Sequence, residues 1–293
     1  MTTLVRRACI DIGSNTTRLL IADCAGDDLH EVHQQKAFTR IGAALLADGT
    51  IAPAKIAEVA DVVRGQLAVA RSFGVADVFG IATAAIRRAA NGDALVHAVG
   101  GGCGLEITVL SGEEEARLAF VGAAGTLGRV PDGALGVVDV GGGSSELVVG
   151  AAPDTVGWWA SFALGSGDLA DVFLRSDPPA DAEMSAARAR VADALDGLQV
   201  PQPVEALAVG GSATSLATLA GPRLDAEAFK RAFALLASEP ASRIASRFSL
   251  DLERVRLLPA GLLILEAASK LFGVALAVGR GGIREGVLLE AAR

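Results

Sequence analysis

The stretch GVVDVGGGSSELVVG, residues 136–150, decides the reading of this 293-residue chain. Apolar runs flank a centre of three glycines and two serines. That composition dictates two strands around an exposed turn. A second stretch, CIDIGSNTTRLLIAD at residues 9–23, repeats the design. Aligning Asp11 with Asp139 places Gly13 on Gly141, Ser14 on Gly142, Asn15 on Gly143, Thr16 on Ser144, Thr17 on Ser145 and Arg18 on Glu146. Two matched strand–turn–strand units imply two related lobes with a cleft between them.

Such turns suit phosphate. Glycine lets the backbone approach a ligand closely, consecutive N–H groups form an anion nest, and Ser and Thr hydroxyls add donors. Each turn also follows an aspartate, Asp11 or Asp139. A carboxylate beside a phosphate calls for a cation between them, and Mg²⁺, with its oxygen ligands, is the natural bridge. Two other phosphate motifs do not apply. A dinucleotide GxGxxG leads into a helix, whereas ELVVG reads as a strand, and no GK[ST] supplies a Walker lysine.

The chain is 51% hydrophobic and 20% charged, enough for one large domain or two of ordinary size. A net charge of −8 argues against nucleic acid as a partner, but leaves room for a small or linear phosphate held by local donors. Cys9, Cys24 and Cys103 lack CxxC spacing and read as small hydrophobes in a reducing compartment. The N-terminal MTTLVRRACIDIGS has no apolar run of the signal-peptide kind. Residues 257–279 imitate a membrane span, but Glu266 and Lys270 lie inside them at i,i+4, so a core helix followed by a strand is expected. The expectation is a cytoplasmic protein with no membrane partner. His30, His33 and His97 make no metal spacing and are expected at the surface. Trp158 and Trp159 are expected to pack beneath the second lobe.

Along the chain, periodicity predicts helices over 53–73, from about 84, over 113–128 and over 181–198. Strands are predicted over 75–83, 107–112 and 206–211, with Ser212 capping the next helix. Helices then run to 272, followed by a last strand and a closing helix from about 283.

Seven segments occur in an order that resembles the Ppx/GppA phosphatases: DIGSNTTR (11–18), TAAIRRAAN (83–91), SGEEEAR (111–117), DVGGGSSE (139–146), GGSATSLA (210–217), LLPAGLLIL (257–265) and GIREGVL (282–288). The resemblance spans about residues 8–289. It implies an α/β, two-lobed actin-like (ribonuclease H-like) ATPase superfold. Lobe I would hold 1–125 together with the closing helix 283–293, and lobe II 126–282. The implied activity is Mg²⁺-dependent hydrolysis of terminal phosphoanhydrides, in inorganic polyphosphate or guanosine pentaphosphate. A phosphotransferase of the same superfold using ADP or ATP, and a non-catalytic nucleotide or polyphosphate sensor, are the alternatives. The chain stops at 293, so the short two-domain members are the closer analogue and the helical C-terminal domain of long members is not expected. The oligomeric state stays open, with a homodimer one option.

Hydrolysis needs neutralised phosphoryl charge, an aligned water and a base. N–H groups at 13–15 and 141–145 in the turns Gly13-Ser14-Asn15 and Gly141-Gly142-Gly143-Ser144-Ser145 would bind phosphate, joined by Arg18; the resemblance implies that Gly211 and Ser212 line the cleft for further substrate phosphates. Arg87 would add positive charge at the terminal phosphate, the alternative being a solvated helix residue beside Arg88; the resemblance matches Arg87, and not Arg88, to the phosphate-binding arginine. SGEEEAR offers Glu113, Glu114 and Glu115, which cannot all enter one site; the resemblance selects Glu115 as the base. It also makes Asp139 and Glu146 the metal- and water-positioning pair, with Asp11 joining them; Glu146 as an ordinary exposed strand residue is the alternative. With an acidic chain and an anionic ligand, the cleft must be locally positive, or Mg²⁺ must supply the difference.

Overall fold

The computed structural model describes residues 4–45 and 47–293; the first three residues of the N-terminal MTTLVRRACIDIGS lie outside them. The first sheet contains β1 (Val5–Ile12), β2 (Thr17–Ala25), β3 (Asp28–Ala37), β4 (Asp77–Ala82) and β5 (Ile107–Val109), in the order β3-β2-β1-β4-β5. The first three strands form an antiparallel meander, and β4 and β5 add in parallel. Helices α1 (Pro53–Ser72), α2 (Ala84–Arg88), α3 (Gly92–Cys103) and α4 (Gly112–Gly125) belong to this half of the sequence.

The second sheet repeats the plan. Strands β6 (Leu135–Val140), β7 (Ser145–Ala151) and β8 (Thr155–Phe162) form a meander, and β9 (Glu205–Val209) and β11 (Leu276–Val278) extend it in parallel. The two-residue β10 (Arg223–Leu224) closes the edge in the order β10-β11-β9-β6-β7-β8. The remaining helices are α5 (Ser166–Phe173), α6 (Asp181–Leu195), α7 (Gly210–Ala220), α8 (Ala226–Ser238), α9 (Ala241–Phe248), α10 (Leu252–Phe272) and α11 (Ile283–Glu290).

Both hairpins expected from the sequence are present, but each carries a third strand, β3 or β8, that the periodicity did not announce. Polar β3 is half-exposed, with the burial alternation blurred. On β8 the side chains alternate, so Trp158 packs against the core while Trp159 is 40% exposed. Only one of the two tryptophans therefore lies beneath the second lobe. His30 and His97 are exposed; His33 is half-buried and stacks on Phe73 at 5.0 Å. In α10 the Glu266–Lys270 pair forms at 2.9 Å. Among the described residues no helix is long and apolar enough to cross a membrane.

The strand period of two places the site. On β1, Ala8, Ile10 and Ile12 pack in the core that α1 and α3 cover. The alternate residues Cys9 and Asp11 face the other way, where Leu20, Ala22 and Leu288 of α11 meet. On β6, Val138 and Val140 join the large core that includes α10. Leu135, Val137 and hence Asp139 face Phe120 and Ala123 of α4. Helices α4 and α11 pack against each other between the two sheets. Gly286 is set against the Leu118 carbonyl and Gly122 against Gly282, so closely that a Cβ on either would collide with backbone. The inner faces of both sheets thus look toward one shared helical pair.

Candidate active site

The echo seen in the sequence is reproduced in register. Asp11 stands directly opposite Arg18 across β1–β2, and Asp139 directly opposite Glu146 across β6–β7. Each turn closes identically, with Gly13 N–H donating to Thr16 O at 3.0 Å and Gly141 N–H to Ser144 O at 3.0 Å. The turns face each other. A Cβ on Gly142 would lie 2.6 Å from Asn15 Nδ2, and one on Gly143 2.8 Å from an Arg88 guanidinium nitrogen. Between them lies a cavity of about 210 Å³.

Asp11, Gly13, Ser14, Asn15, Arg18, Glu115, Asp139, Gly141, Gly142, Gly143, Ser144, Glu146 and Gly211 all line this cavity. Ser14 Oγ, Asn15 Nδ2 and Asp11 Oδ1 are buried there without a protein partner. Unsatisfied polar atoms are costly in an interior, and three on one cavity wall mark a place built for a polar ligand.

Several expected phosphate donors are committed elsewhere. The Gly13 and Gly141 N–H groups close their own turns. Ser145 Oγ donates to Leu164 O at 2.6 Å, and its backbone pairs with Val140, so it is a strand residue and not a ligand donor. Ser212 does not cap a helix: α7 begins at Gly210, which places Ser212 inside its first turn. Its side chain is fully buried against Gly261 of α10, with Oγ unpartnered but off the cavity, and α7 lines the cavity through Gly210, Gly211 and Thr214.

The run SGEEEAR resolves into three roles. Ser111 caps α4 and forms a capping box with Glu114, while Glu113 stays exposed. Glu115 is the one turned inward, at 2% exposure. Its carboxylate accepts from Arg87, and from Ser144 Oγ at 3.4 Å. Burial pushes it up to about 7, against the opposing pull of Arg87, with Asp11 and Asp139 adding to the rise. Glu146 is 1% exposed, so it is no solvent-facing strand residue. Burial, then the neighbouring Glu115 and Asp139, drive its carboxyl well up, and Ser161 Oγ donates to it at 2.9 Å. Arg87 does not line the cavity; it is held by Glu115 and the Leu110 carbonyl.

Burial raises Asp139 to about 6 and also raises Asp11; Arg18 and Arg284 counteract both, while Glu285 adds to the rise. Asp11 also raises Asp139, and both raise Glu115 through space, as like charges near one site do. Among the described residues, no group of three or more carboxylate, His or Cys side chains forms a cation cage. Asp11, Asp139 and Glu146 therefore do not form one three-carboxylate set. The buried Asp139 and the half-buried Asp11, with its orphaned Oδ1, suit Mg²⁺, which binds through one or two carboxylates and takes its other ligands from waters and phosphate.

The positive charge on the cleft comes mainly from residues the sequence reading passed over. Arg18 is joined by Arg254, Arg280 and Arg284. Arg18 and Arg254 both crowd the face of Gly211, and burial with the neighbouring Arg18 lowers Arg254 to about 10. A signal for Arg254 was present: it sits four residues before Leu258 and seven before Gly261, on the buried stripe of α10, whereas Arg256 is exposed.

Comparison with known proteins shows the family. The Ppx/GppA phosphatase family matches residues 20–293. The exopolyphosphatase 2 of Mycobacterium tuberculosis is 35% identical over 230 residues, covering 74% of this chain and 71% of that protein. The exopolyphosphatase 1 of Mycobacterium leprae is 28% identical, covering 98% and 89%. The crystal structure of the Aquifex aeolicus Ppx/GppA family member superposes with a TM-score of 0.82 at 28% identity, covering 99% of this chain and 98% of that one. An exopolyphosphatase structure from Cytophaga hutchinsonii shares the fold with a TM-score of 0.87 at 22% identity, covering 98% and 99%. With its paired phosphate-type turns and a match over nearly its whole length, the chain belongs to the Ppx/GppA phosphatase family.

Proposed function

We propose that this protein hydrolyses the terminal phosphoanhydride of inorganic polyphosphate, with guanosine pentaphosphate as the second substrate, in a Mg²⁺-dependent reaction. The observation that carries the reading is the pair of apposed turns whose buried Ser14 and Asn15 donors lack partners on the same cavity that Glu115 lines. In this reading the two turns, one from lobe I (1–125 with 283–293) and one from lobe II (126–282), grip the terminal phosphoryl group from opposite sides. Ser14, Asn15 and Ser144 donate to its oxygens, and Arg18 with Arg254 supplies fixed positive charge at low reorganisation cost. Glu115, raised to about 7, is poised to take a proton from the attacking water near neutral pH. Glu146 orients that water beside it. Asp11 and Asp139 would hold the cation, whose contribution is to neutralise phosphate charge. Arg87 holds the Glu115 carboxylate and is positioned to meet phosphate only on releasing it.

Polyphosphate ranks first because no aromatic side chain lines the cavity or its basic mouth among the described residues. A purine base would find no stacking surface, whereas a linear polyanion needs only donors and positive charge. The deciding experiment measures phosphate release from polyphosphate and guanosine pentaphosphate side by side, with and without Mg²⁺. Release from polyphosphate that requires Mg²⁺ is expected; transfer to an acceptor without free phosphate, or tight binding without turnover, overturns the reading.

A further inference from the structure

The contacts that join the scaffolds of the two turns share one polarity. Lys36, Arg40 and Arg88, all in the first half of the chain, pair with Asp251, with Asp171 and Glu253, and with Asp168 respectively, all in the second half. In these four ion pairs every cation lies in the first half of the chain and every carboxylate in the second. Arg40 occupies the central position. Its guanidinium reaches Glu253 at 2.8 Å and Asp171 at 3.4 Å. Its backbone has a φ of 47°, a conformation that strains a residue bearing Cβ.

Arg40 is also bonded to the first turn. Its N–H donates to Asn15 O at 3.0 Å, and Gly42 N–H donates to Ser14 O at 2.9 Å. On the far side, Asp171 belongs to α5, whose first residues hold the second turn. Ser166 N–H donates to Gly141 O at 2.9 Å and Gly167 N–H to Gly142 O at 2.9 Å. Glu253 immediately precedes the cleft-lining Arg254 on α10. One residue therefore connects the Ser14–Asn15 turn, to which its backbone is bonded, with the helix whose first residues hold the Gly141–Gly142 turn and with the helix that carries Arg254.

We propose that Arg40 is a positioning residue: its ion pairs with Asp171 and Glu253 latch the two phosphate turns at their working separation. The inference rests on the hydrolytic reading for its kinetic consequence, but the latch itself is a matter of geometry. Such half-exposed pairs are individually weak and screened by salt. Their removal should therefore shift closure without unfolding the chain.

The test compares wild type, Arg40→Glu, and the charge swap Arg40→Glu with Glu253→Arg, which has the wild-type net charge. With a short polyphosphate as substrate, Arg40→Glu is expected to raise KM about three- to tenfold, the scale of two such pairs. The swap is expected to recover most of that loss, and melting temperatures should stay close together. Arg40→Glu matching wild type overturns the latch, as does a swap no better than the single variant. If wild type itself releases no phosphate, the hydrolytic reading falls and the latch is read by small-angle scattering. There Arg40→Glu is expected to show a larger radius of gyration that the swap reverses; an unchanged radius overturns it.

Discussion

Arg87 donates through one guanidinium nitrogen to both the Glu115 carboxylate and the Leu110 carbonyl. It thereby holds down a carboxyl that burial would otherwise raise further than about 7. As the proposed base, Glu115 must be ionised to work, so activity should rise with pH through that region. Removing Arg87 takes away a lowering influence. In Arg87→Ala the rising limb of the pH–rate profile should move to higher pH, and part of the loss seen at pH 7 should be regained at pH 8.5. A limb that does not move would separate Arg87 from the ionisation of Glu115.

Glu115→Gln keeps the shape of the side chain and removes its basicity. Turnover should fall by about 10²–10⁴-fold, the usual contribution of a general base, while calorimetry should still detect polyphosphate binding. Turnover close to wild type would remove Glu115 from the proton transfer.

Asp139 links the site to stability. Its carboxyl rises from 3.8 to about 6 on folding, chiefly through burial. A group raised in the folded state contributes stability that is complete below its unfolded pKa and is lost as pH rises through the folded one. Without Mg²⁺, wild type therefore forfeits on the order of 3 kcal/mol between about pH 4 and pH 6 from this group. Asp139→Asn cannot ionise and escapes that loss. Thermal melts in a chelator should show the variant roughly 3–6 °C more stable than wild type at pH 8, with the gap closing near pH 3.5. A gap that is the same at both pH values contradicts the linkage.

The contact of α4 with α11 makes a purely structural prediction. A methyl group at Gly286 would meet the Leu118 backbone carbonyl, which cannot rotate away. Gly286→Ala should cost about 3 kcal/mol or more, at the upper end of overpacking, and should lower the midpoint in urea. A midpoint within experimental scatter of wild type would mean that the helices can separate without cost.

A good deal of the candidate site's geometry was legible in the chain. Asp11, the Ser14–Asn15 turn, Asp139 and the glycine turn at 141–143 were read from strand alternation around a polar break, because hairpin geometry is local. The antiparallel register then carried Arg18 and Glu146 to their places opposite the two aspartates. The three glutamates at 113–115 were less tractable. Ser111 and Glu114 form a capping box that sequence spacing can suggest, but only the packing of α4 on the second sheet shows that Glu115 turns inward.

Other assignments depended on contacts between residues far apart in the chain. Ser145 and Ser212 have the right chemistry for phosphate, yet the Leu164 carbonyl claims one and Gly261 of α10 encloses the other. Arg254 is remote from every glycine turn in sequence and reaches the cleft because α10 crosses behind α7. The chain by itself determined the two turns and the residue types they present, since a turn's conformation is written in the residues that form it. Which of those groups face the cavity, and which arginines neutralise it, was decided by the tertiary structure, because a side chain's freedom to bind depends on the partners that long-range packing brings to it.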